Sequence, residues 1–542
     1  MPKKRLQWWT ATALILLLFA LTGCQAVQGL EIGQALQNSS TAKSLESRGS
    51  FELELTPGDT DQLAPEQKAL LQALKNTKIT INDAKMQDKR HVSVNGEFEY
   101  LKGKVPFQIV LDDMKYTISI AGGKKPIVFD LKALAGSGAA SPLSQEIQEK
   151  LMKSSEQLQP ALLKFFINNA PNPNKISVSS VTEQVYNETL NLQKVHAEID
   201  GTELTGLLKQ FLTSVLADEK GLKELLSQLY DVVMPIIKEQ VQTLQSAVGE
   251  KSPKLKSSFD PSEMAMAYMD NKTLCVEFAY TTIQIFLKKA VDQFDTVAKD
   301  TLSSSNSEQL QAVLSKKTSL VADLYIDQDK QVRKTKYQLE LPISNSDSGI
   351  AAFKLTAAFE YWNINKPVTA DTIDISGGVL SVDPTFDSTT FLNNFDKNSQ
   401  FYKLLKDDLK VTRKEIHFIV EGQDDSNGDG DLYADYGPPR PYINDEQVTM
   451  VSARFLSERL GAQVKWNEDL KQVTVQDAST GTTIIMTVGS KTATVGGTSV
   501  ELESAPVLRH GATYVPIRFI AEKLGAKVEF DNDTQLVTIT RD

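Results

Sequence analysis

The sequence predicts an α+β protein in two parts: a large N-terminal region of curved antiparallel sheet covered by long helices, and a small C-terminal domain of two helix–hairpin repeats. Three observations predict it. Segments that alternate apolar and polar residues stand at both ends of the region 49–423. Long stretches with the 3.6-residue period of a helix lie between them. Residues 442–542 repeat themselves at an offset of 64 residues. Strands, then helices, then strands again describe helices laid on a sheet rather than an alternating parallel fold.

The chain opens MPKKRLQWWTATALILLLFALTGCQAV. Lys3, Lys4 and Arg5 make a basic start, and Trp8 to Leu21 form an apolar run of fourteen residues. That run is too short to span a bilayer and has the length of a secretory signal's hydrophobic centre. It ends in LTGC, which resembles the bacterial lipobox. The resemblance implies that the thiol of Cys24 is diacylated, that residues 1–23 are removed and that Cys24 becomes the first mature residue. The competing reading is a secretory signal cut elsewhere, with Cys24 incidental. Several acyl chains on one residue hold a protein stably at a membrane where a single chain does not. The expected location is therefore the outer face of the cytoplasmic membrane, with the bilayer as partner through Cys24.

Composition fits that compartment. The 542 residues are 41% hydrophobic and 23% charged, enough for two or three folded domains. The formal net charge of −11 becomes −14 once Lys3, Lys4 and Arg5 leave with the signal. Such a balance argues against nucleic acid as a partner and against adhesion to anionic lipid or anionic wall polymer. Cys275 is the second of two cysteines, so a lipidated Cys24 leaves no intramolecular disulfide. Its setting, LCVEFAY, reads as that of a buried small hydrophobe.

Residues 24–48, rich in Gln, Ser and Gly, read as a polar tether. FELEL at 51–55 and VSVNGEFEY at 92–100 then alternate as half-buried antiparallel strands do. Ser141 and Pro142 mark a helix start by cap and by first-turn proline. From 204 to 216, Leu204, Leu207, Leu208, Phe211, Leu212, Val215 and Leu216 form one helical stripe. Ile283, Phe286, Leu287, Ala290, Val291, Phe294 and Val297 form another. Strand patterning returns in YQLEL at 337–341 and FKLTAAFEY at 353–361. In layout this resembles the half-barrel carriers of the lipoprotein-chaperone type. The likeness implies an apolar cavity between sheet and helices; close packing of interiors favours a filled core in the same place.

The stretch EIHFIVEG ends the region as a strand, and 424–441 follows as an Asp/Gly loop and Pro-rich linker. Within it, DSNGDGDLYADY at 425–436 has the spacing of a calcium loop. Asp425, Asn427 and Asp429 stand at positions 1, 3 and 5, Gly430 at the sharp turn, Asp431 at the backbone-carbonyl position and Leu432 at the apolar one. Tyr433 and Asp435 complete the candidate ligands. Tyr436 occupies the place of the bidentate Glu, and no helix precedes the loop. The other reading is a solvated Asp/Gly/Asn turn. A calcium site without its bidentate ligand belongs to the weak extracellular range, on the order of 0.1–1 mM. Titrating wild type against Asp429→Ala separates the two.

In the C-terminal domain, MVSARFLSERLGAQVKWNEDLKQVTV from Met450 aligns with YVPIRFIAEKLGAKVEFDNDTQLVTI from Tyr514. Arg454 matches Arg518, Phe455 Phe519, Gly461 Gly525 and Trp466 Phe530. Pro516 should start the second helix and Gly525 stop it, with Val528, Phe530, Val537 and Ile539 on a following hairpin. VPIRFIAEKLGAKVEFDNDTQLVTI is similar to the hallmark of the copper amine oxidase N-terminal domain, a stalk module, over roughly residues 442–542. The resemblance implies a spacer or a contact to an envelope or protein partner.

It does not imply copper chemistry, which in those oxidases belongs to a separate catalytic domain. Copper needs clustered imidazoles, whereas His91, His196, His417 and His510 are scattered. No catalytic triad, nucleophile elbow, phosphate loop or zinc spacing is legible. With 69 acidic residues, any proposed glycosidase pair, as in a wall-polymer hydrolase, is arbitrary. Arg454 and Arg518 are candidates for a carboxylate ligand or, as Arg stems often do, for bracing the repeat. The sequence thus points to a non-enzymatic lipid-anchored surface protein with a binding or structural role, or to a carrier or sensor of an apolar small molecule.

Overall fold

The computed structural model describes residues 27–541 apart from 28, 62, 137–157, 249–268, 304–306, 345–348, 384–385, 420–440, 478–479, 510 and 532–535. Cys24, the helix start at Ser141, the whole 425–436 stretch and His510 lie outside the described residues. The protein is α+β and divides into two units, Met1–Phe386 with Asn394–Phe401, and Asp387–Asn393 with Tyr402–Asp542.

The first unit is built on one twelve-stranded sheet. Its strands are β1 (Leu45–Pro57), β2 (Asn76–Met86), β3 (His91–Tyr100), β4 (Gly103–Asp112), β5 (Lys115–Ile120), β6 (Ile127–Asp130), β7 (Lys175–Val185), β8 (Glu188–Asp200), β9 (Ser319–Ile326), β10 (Val332–Pro342), β11 (Ile350–Trp362) and β12 (Leu380–Ser381). The spatial order is β12-β6-β5-β4-β3-β2-β1-β11-β10-β9-β8-β7, and only the two-residue β12 runs parallel to its neighbour. Two antiparallel meanders are therefore joined by the pairing of β1 with β11, where Phe51 faces Ala357 and Leu53 faces Leu355.

The helices are α1 (Ile32–Ser40), α2 (Pro65–Leu74), α3 (Leu131–Gly136), α4 (158–169), α5 (Leu204–Ala217), α6 (Glu219–Val248), α7 (Lys272–Ser303) and α8 (Glu308–Val313). Residues 27–48 are not the polar tether their composition suggests. Ile32 and Ala35 are fully buried and pack with Val195, Leu324, Ile326 and Val332 of the sheet. The spacing Ile32, Ala35, Leu36 carries the helical stripe; Gln and Ser on its outer side hid it.

The two meanders cover their faces in opposite ways. On β8–β11 the apolar face lies under helices: Ile199, Leu320, Leu339 and Leu341 meet Leu204 and Leu207 of α5 and Val313 and Leu314 at α8. The same face continues across β1 onto β2–β5 as Ile79, Ile81, Met86, Val92, Val94, Phe98, Phe107, Ile109, Leu111, Tyr116, Ile118 and Ile120. These residues are half-buried, and Ile79, Tyr116 and Phe51 are exposed. The alternation of FELEL and VSVNGEFEY thus predicts strands correctly and full burial of one face incorrectly. The polar face of β2–β4 is instead the strapped one. Asp371 bonds Lys85 Nζ at 2.8 Å, accepts from Asn95 Nδ2 at 3.1 Å and donates its backbone N–H to Ser93 Oγ at 2.8 Å.

Curvature is visible at the β7 end. Tyr186, in the β7–β8 turn, stacks on Trp362 of β11 with centroids 4.2 Å apart. In a flat sheet four strand spacings separate β7 from β11 by roughly 19 Å. Gly49 and Gly96 let aromatic rings lie on the apolar face: a Cβ would meet the Phe359 ring at 2.5 Å in one case and the Phe107 ring at 2.8 Å in the other.

The second unit begins with the short helix α9 (Ser388–Asn393); α10 (Gln400–Lys403) straddles the division between the units. It then contains β13 (Lys414–Ile419), β14 (Tyr442–Ile443), β15 (Thr449–Ser452), α11 (Ala453–Arg459), β16 (Gln463–Asn467), β17 (Gln472–Asp477), β18 (Thr482–Thr487), β19 (Thr492–Val495), β20 (Thr498–Glu501), β21 (Val507–Arg509), β22 (Ala512–Pro516), α12 (Ile517–Lys523), β23 (Lys527–Asp531) and β24 (Leu536–Arg541). Ser452 caps α11 by accepting from the Phe455 N–H, and Pro516 stands at the cap of α12. Gly461 and Gly525, the matched stops, adopt φ of +91° and +76°, where glycine avoids the Cβ clash.

The repeats meet about a pseudo-twofold axis. Val451 pairs with Val515 across β15 and β22, and these are equivalent positions at the 64-residue offset. Leu456, Val475, Ile484, Met486, Ile520, Leu524 and Ile539 are fully buried in one shared cluster. The outer hairpin strands are completed from different places. Val475 of β17 faces Ile484 of β18, whereas its equivalent Ile539 of β24 faces Ile416 of β13. EIHFI, ahead of the linker in sequence, therefore belongs to the C-terminal sheet.

Candidate functional site

The stripe of α5 carries two duties. Leu204 and Leu207 seal the sheet, while Leu208, one residue further round, turns with Thr205 toward α7. On α7, Phe286, Ala290, Phe294 and Val297 recur along one side at helical spacing. With Leu310 and Leu314 of the α8 segment they line a cavity of about 490 Å³. That volume lies within the roughly 300–1,000 Å³ of small-molecule sites. The space lies among three helices, because the sheet beneath α5 is filled by Ile199, Leu320 and Leu339.

Polar groups are few. Lys289, Gln293, Thr205 and Thr301 lie on the lining. Lys209 of α5 reaches Asp295 of α7 at 2.6 Å and ties the two walls together. Phe286 is 68% exposed, so the cavity opens to solvent along α7. Leu314 belongs to the same cluster as Phe353 and Leu355 of β11, which connects the cavity lining to the apolar sheet face. Burial pushes the Tyr337 phenol, beneath α1, up to about 12.

The other residues singled out in the sequence are spread apart. His91 sits 2.8 Å from Asp88, His196 2.7 Å from Asp323, and His417 3.2 Å from Glu415. Among the described residues no group of three or more His, Cys, Asp or Glu side chains is placed to hold a metal ion. Arg454 and Arg518 are exposed and pair with Glu458 and Glu522 on their own helices, at 3.0 and 3.8 Å. Cys275 is half-buried on α7 rather than buried. Asp425, Asn427, Asp429, Asp431, Tyr433 and Asp435 are not brought to any described position. No described helix is long and apolar enough to cross a membrane.

What sequence reasoning missed is the seal of the C-terminal unit. Arg541 and Asp477 form a buried ion pair, and Arg541 Nη1 donates to the Leu460 carbonyl at 2.6 Å. The signal was present: the two residues stand 64 apart and occupy the same position of the two repeats. Residues 435–539 match the family model described as the copper amine oxidase N-terminal domain, so the C-terminal module is of that kind. This is not the catalytic domain of those oxidases. No curated protein matches the chain.

Proposed function

We propose that the protein is a lipid-anchored, non-enzymatic binding protein on the outer face of the cytoplasmic membrane, whose N-terminal unit carries or senses an apolar small molecule. The observation that carries this reading is the apolar cavity of about 490 Å³ among α5, α7 and α8. Its lining is apolar and open to solvent along α7, which gives an apolar ligand both a way in and a surface to bury. The half-buried apolar face of β1–β5 supports the same reading, as do the curved sheet and its covering helices, whose layout resembles that of the half-barrel carriers. The stalk module 442–542 then serves as spacer, or as contact to an envelope or protein partner.

Native mass spectrometry of gently extracted protein tests the ligand. We expect an adduct beyond the anchor, lost in Leu208→Trp, whose indole fills the cavity. Wild type without any such adduct, even after incubation with a lipid extract, would leave the structural role alone. The anchor is tested separately. LTGC implies that Cys24→Ala releases the protein from membranes, and retention of that variant after a high-salt wash would refute lipidation.

A further inference from the structure

Deepening the ligand reading above and resting on it, we propose that the ligand is an anionic amphiphile: an acyl chain lies among the helices and its negatively charged head group is held by Lys289. Among the described residues Lys289 is the one ionisable side chain on the cavity lining. It has no ion-pair partner among the described residues, whereas Lys209, close by on α5, is already engaged by Asp295. On α7 it stands three residues after Phe286 and five before Phe294, on the cavity lining yet exposed, a position from which a Lys stem can follow an apolar wall and keep its ammonium in water. Among the described residues no carboxylate lines the cavity.

The consequences for recognition follow from charge. A lone ammonium beside low-dielectric walls makes the mouth positive. A cationic head group is repelled there, and a neutral one leaves Lys289 to water. A carboxylate or phosphate gains a charge-assisted hydrogen bond, and Gln293 and Thr205 can donate further ones. Because the overall charge of the chain is negative, long-range attraction does not supply this preference; it is local to Lys289.

The test uses the mature chain 24–542 carrying Cys24→Ser, so that no detergent competes. The probes are a long-chain polyene fatty acid, whose fluorescence rises on leaving water, and its methyl ester. We expect the acid to bind about fivefold more tightly than the ester, the scale of an exposed ion pair. Lys289→Gln should abolish that preference and keep ester binding, while Lys288→Gln should retain it. Displacement of the acid by lysophosphatidic acid, but not by inorganic phosphate, would show that chain and anion are both read. Equal binding of acid and ester by wild type, or equal loss in Lys288→Gln, would overturn the head-group assignment while the cavity remained a ligand site. Failure of both probes to bind wild type would overturn the ligand reading itself.

Discussion

The two units treat their apolar residues differently. In the C-terminal unit the repeats close on each other, and Leu456, Ile484, Ile520 and Ile539 have no exposure at all. In the N-terminal unit the β2–β5 face and α7 keep apolar side chains half-buried or exposed, among them Phe278 and Ile285 and, at the cavity, Phe286. Symmetry explains the first case: two similar amphipathic units offer each other complementary faces, so their helix and inner-strand apolar residues find partners, and exposed ones such as Leu470 and Leu508 stand on turns and edge strands. A single long sheet with helices over part of it leaves the remainder for something else to cover. Single exposed apolar residues are ordinary, but a contiguous apolar face left open in a folded protein is a common mark of binding.

The largest effect expected from breaking this comparison lies at Arg541. Arg541→Leu removes the partner of a carboxylate that is 2% exposed, and an uncompensated buried charge costs about 3–5 kcal/mol. Thermal unfolding followed in the full chain should show the C-terminal transition fall sharply while the N-terminal one stays in place. Unchanged transitions would mean that the pair does not seal the repeats.

Next in size is a matched pair of truncations. Leu456→Ala should cost about 2–5 kcal/mol, as deletions in filled cores do. Ile109→Ala, on the half-buried sheet face, should cost no more than about 1 kcal/mol, since little area leaves water there. Denaturant titration of each variant gives both values. Equal losses would show that the β2–β5 face is as well covered as the repeat core.

The smallest effect is a pH dependence confined to the N-terminal unit. The hydrogen bond that His196 donates to Asp323 holds its imidazole above its ordinary value, with burial opposing and Glu198 adding to the rise. A raised folded value means that the protonated form is favoured by folding. Its contribution is complete below about pH 6.5, the unfolded value, and is lost as pH rises through the higher folded one. His196 is about one-third exposed, so solvent screening keeps the change below about 1 kcal/mol. His196→Gln should flatten the slope between pH 6 and 8; an identical slope in the variant would remove His196 from the account.

Much of the local structure was legible. The strand patterns at 51–55, 92–100, 337–341 and 353–361 fall in β1, β3, β10 and β11, and the stripe at 204–216 is α5. Periodicity reports which side of an element is apolar, and that is a property of adjacent residues. It does not report what lies against that side. FELEL and YQLEL have the same pattern, yet Leu339 is buried under α5 and Phe51 is 43% exposed. Composition failed for the same reason at α1, where Ile32 and Ala35 are buried among residues that average to a polar tether.

By itself the sequence determined the α+β class, the repeat and its helix stops, because these rest on spacing, caps and the steric freedom of Gly461 and Gly525. Tertiary structure decided three things: that β13 completes the second hairpin, that Arg541 and Asp477, matched by the repeat, close on each other as a buried pair, and that α5, α7 and α8 enclose a space beside Lys289. Each joins residues distant in the chain, from 64 apart for the ion pair to more than a hundred for β13 and β24. Contacts of that kind depend on how whole elements pack, and no local pattern of apolar and polar residues encodes them.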